Sequence, residues 1–206
     1  MTAGHEALQR LRAGNDRFVA GTRSMQPVLD AARRAELTVA QEPFAIVLGC
    51  SDSRVPVEII FDQGLGDLFV IRVAGNVVAP SLIGSVEFAA SRFGTRLVVV
   101  LGHSQCGAII ATLDELRRPT PNQSPNLKSI VDRIRPGVES LLDGDQGADR
   151  AGLVNRAVRS NILASVQQLR HGSAVIEGLI AGHDLAVVGA SYSLETGVVE
   201  FLEDTL

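Results

Sequence analysis

The chain has 206 residues, enough for one domain with a full core, and its 46% hydrophobic and 20% charged residues suit a globular protein rather than a disordered one. A net charge of −4 and a pI near 5.6 give no electrostatic reason to expect nucleic acid or an anionic membrane as partner. No apolar run approaches the roughly 18 residues of a membrane span.

Residues 1–40 read as a helical arm, with Leu8, Leu11 and Phe18 at near-helical spacing and Gly21 and Pro27 punctuating it. An arm that precedes the first core strand is expected to pack on a partner subunit. A first strand spans about 44–49, a short helical piece 57–61, and a second strand 68–73. Pro80 and Ser81 open a helix that runs to about Arg92, with Ile83, Val86 and Ala90 as its inner stripe. A third strand covers 97–101, and Gly107 opens a helix to about Arg117. The polar stretch 119–126 reads as a loop, followed by helical patterns near 126–142, 149–170 and 173–181. The segment 182–184 turns into a strand at 185–190, and a short turn at 195–197 leads to a last, antiparallel strand at 198–202. The first four strands are unbroken apolar runs, as in parallel sheets covered on both faces. Their helical crossovers are expected to be right-handed. The expected fold is therefore α/β: a single domain over 1–206, a parallel sheet flanked by helices, and an N-terminal helical arm.

The chemistry concentrates at two strand ends. Cys50 opens Cys-Ser-Asp-Ser-Arg (50–54) after the first strand, and Gly-His-Ser-Gln-Cys-Gly (102–107) follows the third. In open parallel sheets, function gathers beyond the carboxyl ends of the strands. Cys50, His103 and Cys106 there make a three-ligand zinc site that leaves a fourth position for chemistry. The rival readings are burial of the cysteines as small hydrophobes, or a disulfide between them. The first residues, Met-Thr-Ala-Gly-His-Glu, show no basic region ahead of an apolar stretch, so no signal peptide is expected. Reduced thiols in the cytoplasm are the expected state. Asp52 and Arg54 form a second pair: an arginine fork holds a carboxylate bidentately and keeps it ionised beside the metal. Two thiolates cancel the charge of Zn2+. A water in the fourth position should then acidify less than at a three-histidine site, and form hydroxide more fully at alkaline pH.

Cys-Ser-Asp-Ser-Arg-Val-Pro (50–56) and Val-Val-Leu-Gly-His-Ser-Gln-Cys-Gly (99–107) resemble the two signature blocks of the β-class carbonic anhydrases. Leu-Gly-Asp-Leu-Phe-Val-Ile-Arg (65–72), Ala74, Asn76, Gly-Ser-Val-Glu-Phe-Ala (84–89) and Val-Val-Gly-Ala-Ser-Tyr (187–192) extend the resemblance over residues 10 to 202. It implies four parallel strands in the order 2-1-3-4, a fifth antiparallel strand, and a homodimer or homotetramer with zinc near the dimer interface. It implies reversible hydration of carbon dioxide to bicarbonate and a proton, by zinc-hydroxide attack. Cys50, His103 and Cys106 match the family's zinc ligands. Asp52 and Arg54 match its dyad, with Asp52 as fourth ligand in a closed state. Gln41, Phe69 and Gly107 match substrate-binding positions, Gln41 as in plant-like members. Phe88 stands where plant-like members often carry tyrosine. Val47 stands where members with a non-catalytic bicarbonate site carry tryptophan, so that site is expected to be missing although Arg72 and Tyr192 match its remainder. Hydrolysis of carbonyl sulfide or carbon disulfide on the same scaffold, or zinc and bicarbonate binding without catalysis, are the alternative functions.

Overall fold

The structure is a computed structural model that describes residues 2–22, 31–143, 149–202 and 205. Five strands alternate with helices: β1 (Ala45–Gly49), β2 (Leu68–Arg72), β3 (Leu97–His103), β4 (Ala186–Tyr192) and β5 (Val199–Phe201). They form one sheet in the order β2-β1-β3-β4-β5. β1 pairs in parallel with β2 and β3, β3 in parallel with β4, and β5 antiparallel with β4. The order reverses between β1 and β3: one connection from β1 leads outward to β2, while the chain after β3 leads to β4 on the other side. That reversal makes the carboxyl ends of β1 and β3 a topological switch point, the place where open α/β sheets gather their functional residues.

Every residue of β1 and β3 is buried, so their apolar runs serve two faces at once. Ile46, Leu48, Val98, Val100 and Val187 belong to one core. Above it lie α4 (Pro80–Arg92), α5 (Gly107–Arg117), α6 (Pro125–Val138), α7 (Arg150–His171) and α8 (Ala174–Ala181). Ala45, Val47, Leu97, Val99, Leu101 and Val188 belong to the opposite core, together with Leu8 and Leu11 of α1 (Ala3–Val19), Val57 and Ile60 of α3 (Val57–Ile60), and Phe61. The two-residue period of a strand sorts alternate side chains to opposite layers even where hydropathy does not alternate.

α1 covers the chain's own sheet, and Asn15 fixes its seat. The Asn15 amide donates to the carbonyls of Ile60 (3.2 Å) and Gly197 (2.9 Å), and its Oδ1 accepts the Val199 N–H (2.8 Å). After α1 the arm continues as α2 (Ala31–Glu36), which buries no residue; Pro27 lies outside the described residues. α7 carries the longest buried stripe, from Leu153 through Val158, Ile162 and Val166 to Leu169. Its Ile162 lies over Gly102 of β3 and Gly189 of β4, where a Cβ would come within 2.6 Å and 2.8 Å of that side chain. Two glycines thus let the central helix approach the sheet.

Some boundaries differ from those the sequence predicts. β3 continues through Gly102 and His103 because these pair with Ser191 and Tyr192 of a β4 that runs two residues past Ala190. The helical pattern at 126–142 divides into α6 and a 3-10 turn at 139–142. Pro136, inside α6, lacks the N–H that the helical ladder would use. The segment Ala74–Asn76 forms a 3-10 turn with left-handed backbone at Gly75 (φ 70°) and Asn76 (φ 44°).

Candidate metal centre

The carboxyl end of β1 delivers Cys50, and the end of β3 delivers His103. Gln105 takes a left-handed conformation (φ 53°) that turns the chain back, so that Cys106, capping α5, faces Cys50. The two sulfurs are free thiols 4.0 Å apart rather than a disulfide. Sγ of each cysteine and a ring nitrogen of His103 lie within 4.8 Å of one another. Tetrahedral zinc with Zn–S bonds of about 2.3 Å spaces two sulfurs by roughly 3.8 Å, so the donor set fits the ion.

His103 is fully buried. Its Nδ1 lies 2.9 Å from the Ser104 carbonyl and donates to it, which fixes the tautomer and leaves the Nε2 lone pair free. Nε2 has no hydrogen-bond partner despite its burial. An orphaned buried acceptor costs about 1–3 kcal/mol unless something fills it, and a metal ion would. Ser104 is itself anchored: its N–H donates to the Tyr192 carbonyl (2.9 Å) and its hydroxyl accepts the Leu194 N–H (3.0 Å).

The thiols act as a pair. The Cys106 S–H hydrogen-bonds to Cys50, which holds Cys50 low as a thiolate, helped by the N–H groups of Gly75 and Asp52. The same bond and burial push Cys106 up. Without a metal the two sulfurs therefore share one proton; binding zinc releases it, since both must ligate as thiolates.

Asp52 stands beside this cluster without joining it: its Oδ2 is 3.9 Å from His103 Nε2. Arg54 takes both its oxygens, with Nε 2.9 Å from Oδ1 and Nη2 2.7 Å from Oδ2, and adds its backbone N–H to Oδ1 at 2.9 Å. These bonds hold the Asp52 carboxyl well below the usual carboxylate range. Arg72 braces the loop from the neighbouring strand, donating to the carbonyls of Cys50 (3.0 Å) and Asp52 (2.6 Å). Gly107 is the first residue of α5, so its N–H lacks an intrahelical partner.

The fold brings Cys50, Asp52, Arg54, His103, Cys106 and Gly107 together and leaves Gln41 and Phe69 apart. Gln41 is exposed and precedes β1, whereas Cys50 follows it. A five-residue strand separates them by about 16 Å or more. Phe69, paired with Ile46, packs against Phe88 and Phe93 with ring centroids 6.2 and 6.0 Å away. Gln41 lines a surface hollow of about 940 Å³ with Leu37, Leu65, Arg92 and Phe93. Sequence reasoning missed the bracing by Arg72 and the Gly75 N–H that points at Cys50 Sγ (3.4 Å). The positive-φ turn has no local signal beyond its glycine.

Comparison with known proteins agrees with this geometry. Residues 45–199 match the carbonic anhydrase family profile. The chain is 43% identical to a carbonic anhydrase of Mycolicibacterium smegmatis over 197 residues, covering 94% of this chain and 91% of that one. It is 41% identical to carbonic anhydrase 2 of Mycobacterium tuberculosis over 191 residues, covering 93% and 89%. Among solved structures, the β-carbonic anhydrase CafA of Aspergillus fumigatus superposes with a TM-score of 0.75 at 27% identity, over 93% of this chain and 88% of that one. A tetrameric β-carbonic anhydrase of Sordaria macrospora gives 0.73 at 25% identity, over 97% and 96%. The chain belongs to the β-class carbonic anhydrases, and is thereby a lyase.

Proposed function

We propose that Cys50, His103 and Cys106 hold one Zn2+ and that the chain hydrates carbon dioxide reversibly to bicarbonate and a proton. The observation that carries this reading is the unpartnered Nε2 of buried His103, facing two sulfurs 4.0 Å apart. Zinc in such a site acidifies a water molecule into a nucleophile.

The chain's own residues do the rest. Asp52, ionised through the neutral range by its bonds to Arg54, accepts a hydrogen bond from the attacking water and aims it. With both oxygens engaged by Arg54, the carboxylate is restrained from turning onto the metal as a fourth ligand. The Gly107 N–H at the start of α5 donates to the oxygen that gains charge. Gln41 and Phe69 line the substrate pocket only if a second copy brings them, because in one chain they lie at the other end of β1. The working form is therefore a homodimer or homotetramer, with each site completed across an interface. The inferred location is the cytoplasm, where the thiols stay reduced.

Stopped-flow hydration on zinc-quantified protein, from about pH 6 to about pH 9, tests the reading. Activity should rise toward alkaline pH. Zinc-loaded protein without hydration would overturn it, and sulfide release from carbonyl sulfide in that sample would redirect it to the related hydrolysis.

A further inference from the structure

α7 is apolar where it faces the sheet, with two exceptions. Asn161 and Ser165, one helical turn apart, are both buried, at 2% and 3% exposure. Burying an amide and a hydroxyl costs free energy unless each finds a partner. Both find theirs on the turn at 74–76: Asn161 Nδ2 donates to the Gly75 carbonyl (2.9 Å), and Ser165 Oγ to the Asn76 carbonyl (3.2 Å). That turn has two consecutive residues in the left-handed region. Gly75 is packed so closely that a Cβ would come within 2.8 Å of Ile134 Cδ1 and 3.1 Å of Ala108 Cβ. With both carbonyls held by α7, the Gly75 N–H points at Cys50 Sγ.

We propose that Asn161 and Ser165 are positioning residues for the metal centre: they clamp the 74–76 turn so that its Gly75 N–H hydrogen-bonds the Cys50 sulfur. The proposal rests on the reading of Cys50 as a zinc ligand. A hydrogen bond to a ligating sulfur orients the ligand and draws off part of its charge. Groups one shell out from a metal commonly change affinity by about 10- to 100-fold. Asn161 and Ser165 act one bond further away, through the backbone, so the lower end of that range applies.

The test uses full-length, zinc-loaded protein with Asn161→Leu, Ser165→Ala and, as a packing control at the far end of α7, Leu169→Ala. Two quantities are read: the rate of zinc transfer to excess chelator, and the thiolate-to-cobalt absorption band after metal exchange. Asn161→Leu and Ser165→Ala should each release zinc about tenfold faster and shift the cobalt band. Leu169→Ala should lower the melting temperature with release rate and band unchanged. Wild-type release and spectrum in both polar variants would overturn the inference, as would equal acceleration in Leu169→Ala. If Asn161→Leu fails to fold, Ser165→Ala alone decides. Wild-type protein that takes up no zinc would overturn the metal reading and this inference with it, whereas zinc-binding wild type beside unaltered variants would sink the inference alone.

Discussion

Replacing Gly102 with alanine sets two effects against each other. A strand glycine carries an entropic penalty, so alanine should gain about 0.5–1 kcal/mol. The new methyl, however, would stand 2.6 Å from both Cδ1 and Cγ1 of Ile162, with Val158 Cγ1 at 3.5 Å. Carbon contacts relax only near 3.5–4.0 Å, so Ile162 must retreat by about 1 Å. It has nowhere to go, being fully buried and already close over Gly189. Overpacking costs about 1–3 kcal/mol, and two contacts at 2.6 Å place this site in the upper part of that range, so the net change should be a loss of about 1–2 kcal/mol. For a chain of this size that lowers the melting temperature by roughly 2–8 °C. The cause can be isolated with Ile162→Ala, which alone should cost about 2–5 kcal/mol by leaving a cavity. In the double variant the added methyl enters that cavity, and the combined loss should fall short of the sum by about 1–2 kcal/mol. Thermal melts of the four proteins at matched zinc content and concentration give the cycle. A Gly102→Ala protein as stable as wild type, or a cycle additive to within about 0.5 kcal/mol, would refute the close-approach argument.

Asp52→Asn keeps the shape but loses the charge and one acceptor, so hydration should fall by about 10²- to 10⁴-fold at unchanged zinc content, measured by stopped flow. Asp52 titrates below its unfolded value, so its contribution to stability is present above about pH 4 and is lost as pH falls through the lower folded value. The melting-temperature difference between metal-free wild type and Arg54→Ala should therefore be seen at neutral pH and vanish toward strong acid. Gln41→Ala should raise KM for carbon dioxide several-fold with kcat nearly kept, as expected for a group that binds without joining the chemistry.

How much of this was legible beforehand depends on the range of the interactions. The strands announced themselves as apolar runs, and the candidate metal donors as Cys50 and the His103/Cys106 pair beside them, because each signal lies within a few residues. The end of β3 was harder: the apolar run marks the strand only to Leu101, yet pairing with Ser191 and Tyr192 keeps Gly102 and His103 in the sheet. The clamp on Gly75 was invisible, since Asn161 lies 86 residues away and looks like one polar residue of a helix. Gln41 and Phe69 could be matched by resemblance; that Gln41 precedes the first strand was legible from sequence order, but the placing of Phe69 beside Ile46, away from Cys50, needed the register of β1 with β2.

The separation of Gln41 from Cys50 along β1 has a consequence for handling the protein. If pocket and metal come from different copies, turnover follows the population of assembled pairs, and dilution below the dissociation constant extinguishes activity while every chain stays folded and loaded with zinc. Specific activity would then depend on protein concentration. Mixing a high-KM variant altered at Gln41 with an inactive one altered at Cys106 would give each mixed pair one centre of wild-type KM.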